Sequence, residues 1–275
     1  MIEEIKRLIC HTVLDARKKL TPGEITLSVA RQCGADRKTV RLAIKDLVSR
    51  GELAYTYVYG SSYLGSAFHR PVRISKRIVI KPPDKVHRPT EGDVVIDLAR
   101  GAAFGDGAHP TTALALRAMD AVLDDQLCPA GKSGLSGLDV GTGSGILAIA
   151  LAKLGVEKVV GTDLDPCALW EATHNVGLNG CGPQVVITST PFNRLAGCFS
   201  IIAANLAYPT LRRLAALFSA KMEKDGVLIV SGFKAAASKG LGAAYAQQGL
   251  RLIREEADRE WVCLILRKRR LGVWG

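Results

Sequence analysis

Residues 138–145 read Leu138-Asp139-Val140-Gly141-Thr142-Gly143-Ser144-Gly145, a short apolar strand running into three glycines at alternate positions, and Ile146 to Leu154 continue with helical apolar spacing. Strand, glycine turn and helix together let a backbone pass close beneath a nucleotide-type ligand. A Cβ at 141, 143 or 145 would stand in the way, and the start of the next helix leaves free N–H groups facing the ligand. The dinucleotide fingerprint puts its third glycine where this chain has Ile146, at the point where a pyrophosphate approaches the helix. Asp139, two residues before the first glycine, also disfavours a phosphate and suits a ligand with a cationic end.

A second half-site follows at the expected distance. Val156 to Thr162 form another apolar strand ending in Asp163, 18 residues after Gly145. An acid there can hold both hydroxyls of a ribose. The glycines, Asp139 and Asp163 together fit S-adenosyl-L-methionine better than NAD. Asp165, followed by Pro166 at a first helical position, also reads as a helix cap.

The charge is unevenly placed. Up to Arg88 there are 18 Lys and Arg against 8 Asp and Glu, so a net +10 of the chain's +11 lies in its first third. With 275 residues and 48% hydrophobic content, two domains with different partners are expected. Seven cysteines without a Cys-x-x-Cys pair or zinc spacing read as buried, reduced thiols, and no metal is expected. The N-terminus lacks an apolar signal core, and the longest apolar run, Ile146 to Ala152, is too short for a bilayer. A cytoplasmic protein without a membrane partner is expected.

In the first third, helical spacing covers Ile2 to Ala16, a second helix starts at Thr21-Pro22 and ends by Gly34, and a third runs from Asp36 to about Arg50. The short joint Cys33-Gly34-Ala35 gives a helix-turn-helix. Strands at Leu53 to Tyr59 and Phe68 to Ile74, around Gly60-Ser61-Ser62 and Gly65, complete a winged helix over residues 1–83. Arg37, Lys38, Arg41 and Lys45 lie opposite Val40, Ile44 and Leu47, the placement that phosphate contact by a recognition helix needs; a solvated face on a protein-binding domain is the other reading. Tyr55, Tyr57, Tyr59 and Tyr63 read as cross-strand packing rather than base stacking.

Lys81-Pro82-Pro83-Asp84 through Arg88-Pro89-Thr90 has the composition of a stiff linker, placed at 84–91 before a second domain at 92–275. Beyond it, strands at Leu138, Val159, Val185, Ser200 to Ala204, Val227 to Ser231, Leu250 to Arg254 and Trp261 to Arg267 alternate with helices until the last pair. That alternation implies an α/β fold with a doubly wound, Rossmann-like parallel sheet; the last pair, too closely joined for a helix, must be antiparallel.

Two further segments carry chemistry. Phe104-Gly105-Asp106-Gly107-Ala108-His109-Pro110-Thr111-Thr112 ends in a helix start, and its glycines and hydroxyls could line the cofactor's methionine end. His109, followed by Pro110, reads as structural. The buried strand Phe199 to Ala204 ends in Asn205-Leu206-Ala207-Tyr208-Pro209, at the end of a parallel strand where such sheets bind ligands. The Asn205 carbonyl could accept hydrogen bonds from an amine and aim its lone pair at the sulfonium methyl, or Asn205 could cap the next helix.

The glycine turn, Phe104 to Thr112 and the Asn205 strand end, in this order, resemble the bacterial methyltransferase family that modifies amines of ribosomal protein L11, over roughly Gly92 to Arg267. The resemblance implies that Phe104, Gly107, Thr111 and Thr112 join Asp139, Gly141, Gly143, Gly145, Asp163 and Asn205 around S-adenosyl-L-methionine. Three departures stand out. That family has a small ferredoxin-like substrate domain where a winged helix is read here. Ser189-Thr190-Pro191 stand where such enzymes often place an acid on adenine, so serine, threonine or Asn193 would substitute. Tyr208 replaces a small residue, and Asn205 with Tyr208 resembles the Asn-Pro-Pro-Tyr motif of enzymes that methylate planar nitrogens, without its prolines.

The expectation is therefore an S-adenosyl-L-methionine-dependent N-methyltransferase with Asn205 and Tyr208 as catalytic residues, acting on an amine of a protein, which the resemblance implies is ribosomal. Its rivals are methylation of DNA or RNA, and a DNA-binding regulator that senses the cofactor without catalysis.

Overall fold

A computed structural model describes residues 2–14, 16, 19–50, 52–58, 61–66, 70–99, 101, 109–124 and 134–268. Three helices and a hairpin come first: α1 (Ile2–Leu14), α2 (Pro22–Cys33), α3 (Arg37–Ser49), β1 (Leu53–Val58) and β2 (Ser61–Ser66). Their starts and stops follow from capping. The Thr21 side chain and Glu24 form a reciprocal capping box before Pro22, Gly34 closes α2 in the left-handed conformation, and Asp36 accepts from the Lys38 and Thr39 N–H groups. Ile5, Ile9, Ile25, Val29, Val40, Ile44, Leu47, Leu53 and Leu64 bury together as the core of this unit.

The hairpin differs from expectation. Leu53 pairs with Ser66 and Val58 with Ser61, so the second strand is 61–66 rather than 68–74. Gly65 suggests a break, yet it is extended within the strand and no atom crowds its Cβ direction. Tyr59 and the Tyr57 side chain lie outside the described residues.

A small sheet follows: β3 (Val72–Arg73) antiparallel to β4 (Ile78–Lys81), which pairs in parallel with β5 (Val94–Asp97). Ile78, Ile80 and Ile96 bury in the same cluster as the helices of the second half. The expected linker at 84–91 is therefore the β4–β5 crossover, and the two cores part between Ser66 and Val72. Stiff, proline-rich composition fits a crossover loop as well as a linker. The small sheet is held to the main body by Arg77, whose Nε donates to Asp120 Oδ1 at 2.6 Å.

The main body comprises α4 (Pro110–Asp124), β6 (Ser136–Val140), α5 (Ile146–Lys153), β7 (Lys158–Thr162), α6 (Pro166–Leu178), β8 (Val185–Thr188), β9 (Phe199–Asn205), α7 (Tyr208–Arg213), α8 (Ala215–Lys221), β10 (Met222–Lys234), α9 (Ser238–Gln247), β11 (Leu250–Asp258) and β12 (Trp261–Lys268). Seven strands lie in the order β11-β12-β10-β9-β6-β7-β8. Only β12 runs against its neighbours, as expected of the closing pair.

Strand periodicity sorts the core onto two faces. Ile201 and Ala203 bury with α4 and α5, whereas Ile202 and Ala204 bury with α7, α8 and α9. This is a mixed, doubly wound α/β sheet with helices on both faces, and its order reverses between β6 and β9, where such sheets open a ligand crevice.

The six described cysteines are free, but only Cys181 and Cys263 are buried, while Cys198 is exposed. Among the described residues no helix is long and apolar enough to cross a membrane, and no group of His, Cys, Asp or Glu could hold a metal ion.

Candidate active site

At the carboxyl ends of the central strands lies a cleft of about 340 Å³, within the usual range for a small-molecule site. One side is the glycine turn. Gly141 and Thr142 N–H groups both donate to the Thr162 carbonyl, at 2.8 and 3.0 Å, so the turn leans on β7. Gly141 has φ 73°, and a Cβ there would lie 2.5 Å from Leu206 Cδ2, the opposite wall of the cleft. Gly145 has φ 83° and a Cβ there would press on Ala172 Cα at 3.0 Å, so glycine also lets α6 pack beneath the turn.

Asp139 lies beneath this turn, fully buried. Its Oδ2 accepts from Thr142 Oγ1 at 2.7 Å and from the Ala148 N–H at 3.1 Å, bracing the turn against the start of α5, while Oδ1 has no hydrogen-bond partner. Burial pushes its carboxyl up to about 7, opposed by those two hydrogen bonds and reinforced by the charge of Asp163. Asp139 supports the cleft without lining it.

Asp163 does line it. Its Oδ2 accepts from Gly143 N–H at 2.9 Å, and its Oδ1 accepts from the N–H groups of Leu164 and Asp165 at 2.7 and 3.0 Å. Those bonds fix a carboxylate at the end of β7, where ribose hydroxyls are held in sheets of this kind. Asp165 caps α6 through the Cys167 N–H and also reaches the cleft.

Across the cleft, Thr111 and Thr112 are buried at the start of α4. His109 Nδ1 accepts from the Thr111 N–H at 3.2 Å and lies 2.7 Å from Thr111 Oγ1, and its ring stands edge-on to Trp261 at 5.0 Å. His109 also lines the cleft. Phe104 and Gly107 lie outside the described residues.

Asn205 closes the site from the end of β9. Its Nδ2 donates to Thr112 Oγ1 at 3.2 Å, which leaves Oδ1 buried without a hydrogen-bond partner at the cleft. A buried acceptor left unmade costs free energy and is retained where a ligand supplies the donor. Beside it, β10 carries a bulge between Val230 and Phe233, and Gly232 within it has φ 97°. A Cβ on Gly232 would lie 2.4 Å from the Leu206 carbonyl oxygen and 2.9 Å from Asn205 Oδ1. Bulges of this kind re-aim groups next to active sites.

Tyr208 does not join Asn205. It begins α7, packs against the cluster under α8 and α9, and its hydroxyl faces Gly240 in α9. Pro209 at the second helical position starts a helix that carries the ring away from the cleft, so the spacing to Asn205 is misleading. Ser189, Thr190 and Asn193 are also absent from the cleft lining; the Thr190 carbonyl is taken by Thr162 Oγ1 at 2.5 Å. Gly232, Leu206 and Trp261 line the cleft although no motif points to them. Of these, only Gly232 carries a local signal, a glycine inside a strand.

Far along the chain, Arg37, Lys38, Arg41 and Lys45 project from α3 into solvent. The carboxylates of this helix are engaged elsewhere, Asp36 as its cap and Asp46 with Lys6 and Arg50.

Residues 65–269 match the family model described as ribosomal protein L11 methyltransferase. The ribosomal protein L11 methyltransferase of Geobacter metallireducens is 41% identical over 197 residues, covering 71% of this chain and 62% of that protein. That of Pelotomaculum thermopropionicum is 34% identical over 201 residues, covering 73% and 63%. The chain thus spans less than two thirds of the length of these relatives. The crystal structure of a ribosomal protein L11 methylase from Lactobacillus delbrueckii subsp. bulgaricus superposes with a TM-score of 0.64 at 29% identity, over 73% of this chain and all of that one. The match covers the cleft-bearing sheet and leaves out the helices α1 to α3. On these grounds the chain belongs to the ribosomal protein L11 methyltransferase family.

Proposed function

We propose that this chain is an S-adenosyl-L-methionine-dependent N-methyltransferase whose acceptor is an amine of a protein, of the ribosomal kind named in its relatives. The observation that carries this reading is the unpartnered Asn205 Oδ1, buried at a cleft whose other walls are the glycine turn and Asp163. The cofactor, when bound, supplies a methyl group on a sulfonium that already leaves readily. Gly143 and Asp163 are placed for its ribose, and Asp139 keeps the turn in shape. Asn205 Oδ1 accepts an N–H of the acceptor amine and so turns the nitrogen lone pair inward; alignment of this sort lowers the barrier most in such a displacement.

A lysine acceptor, with an ordinary pKa of about 10.4, must shed a proton before it attacks. Ile146, Leu147, Leu206 and Trp261 make much of the cleft apolar, which favours the neutral amine by desolvation. Methylation of a base or glutamine loses its distinguishing residue with Tyr208, and a cofactor sensor has no use for a free amide oxygen.

The N-terminal helices and hairpin act, in this reading, as a winged helix that brings the substrate. Lys19 Nζ donates to the Gly101 carbonyl, so this unit touches the chain that leads to His109. The exposed cations of α3 favour nucleic acid at its surface, as befits a substrate that sits on RNA. Free thiols at the described cysteines accord with a reducing, cytoplasmic setting.

Calorimetry checks the cofactor: S-adenosyl-L-methionine should bind and NAD should not, and the reverse preference would overturn the reading. Replacing Arg37 and Arg41 by Ala should weaken nucleic-acid binding and make log K less steep in log salt by about two contacts' worth. Unchanged binding would return α3 to a protein-contacting role.

A further inference from the structure

α6 carries three polar side chains at four-residue intervals, Glu171, Asn175 and, at the cap, Asn179. The first two are buried, at 6% and 2% exposure, on a helix face where apolar residues would be expected. Asp97, Ala99 and Gly101 lie along them. Asn179 Oδ1 accepts from the Asp97 N–H at 2.9 Å and its Nδ2 donates to the Asp97 carbonyl at 2.6 Å. Asn175 Oδ1 accepts from the Ala99 N–H at 3.0 Å. Gly101 lies so close to Glu171 that a Cβ there would meet a carboxylate oxygen at 1.9 Å. From Asp97 to Ala99 the period matches that from Asn179 to Asn175: four helical residues rise about 6 Å, and two extended residues span about 6.6 Å.

Asn175 does one thing more. Its Nδ2 donates to the Ser144 carbonyl at 2.8 Å, in the middle of the glycine turn between Gly143 and Gly145. One buried amide therefore joins the turn on which the proposed cofactor rests to the chain at Ala99. An amide side chain accepts from one backbone and donates to another at once, through two different atoms.

We propose that Asn175 is a positioning residue for methyl transfer: by holding the Ser144 carbonyl it sets the Gly143–Gly145 backbone in its cofactor-binding shape, while Asn179 only anchors the strand end. This rests on the proposed cofactor. Removing the donor frees the Ser144–Gly145 peptide plane to rotate; its Gly145 N–H donates to the Thr142 carbonyl at 2.9 Å, and that carbonyl shares a peptide plane with the Gly143 N–H that meets Asp163.

The test compares affinity for S-adenosylhomocysteine by calorimetry with the thermal unfolding midpoint, for wild type, Asn175→Ala, Asn175→Asp and Asn179→Ala. Asn175→Asp retains an acceptor for Ala99 and sets a carboxylate oxygen against the Ser144 carbonyl. Both Asn175 variants should bind about tenfold more weakly, the scale of one lost buried hydrogen bond. Asn179→Ala should lower the midpoint yet keep affinity within about twofold. Wild-type affinity in Asn175→Asp, or an equal loss in Asn179→Ala, would overturn the assignment and leave the three side chains as scaffolding. No binding by the wild type would instead overturn the proposed function beneath it.

Discussion

Asn205→Ala should cut kcat by about a hundredfold or more while leaving S-adenosylhomocysteine affinity within about threefold. The first number follows from the loss of a preorganised hydrogen-bonding group at the reacting atom, which in comparable sites costs two to three orders of magnitude. The second follows from the position of Asn205, whose Oδ1 has no partner and whose Nδ2 is bound to Thr112 rather than to the glycine turn. Asn205→Asp separates hydrogen bonding from charge. It keeps an acceptor but adds a negative charge that favours the ammonium and raises the amine's pKa, so the rise of its activity with pH should be displaced to higher pH than that of the wild type. An Asn205→Ala enzyme with normal kcat would show that the acceptor amine is oriented by something else.

Gly232→Ala should be nearly as damaging, although nothing in the motif pattern points to it. A positive φ at a non-glycine residue costs about 1–3 kcal/mol. The methyl would also meet the Leu206 carbonyl oxygen at 2.4 Å and the Asn205 amide oxygen at 2.9 Å, so the end of β9 must shift. A displacement of about 1 Å in a reacting group costs roughly a hundredfold in rate. The expected result is a kcat loss of that order together with a midpoint lowered by roughly 5 °C. Gly134→Ala is the control. It has a positive φ of 77° but no atom near its Cβ direction, so it should lose stability without losing kcat. Equal kcat losses in both would mean that backbone strain, not contact with Asn205, sets the effect.

The parts of this molecule that local chemistry dictates could be read from the chain. The turn at 141–145, the acid at 163 and the amide at 205 each end a strongly apolar strand, and a parallel sheet sends such ends to one edge. The antiparallel last strand followed from the short join between β11 and β12. What failed depended on contacts distant in sequence. Pro82, Pro83 and Pro89 describe a stiff segment without saying whether it links domains or crosses between β4 and β5. Gly65 could equally break a strand or pass through one. Tyr208 has a suggestive spacing to Asn205, but Pro209 and the apolar bed under α8 and α9 decide where its ring lies. Asn175 gives no signal of function, because its two partners, Ala99 and Ser144, are far away in the chain.

The central claim is that this cleft moves a methyl group to a protein amine. The most direct test is transfer of labelled methyl from S-adenosyl-L-methionine into a methyl-depleted ribosomal extract, with wild type and Asn205→Ala side by side and the product divided by protease and nuclease. The account predicts label with the wild type only, removed by protease and untouched by nuclease. Label removed by nuclease, or no label from a protein that binds the cofactor, would contradict it.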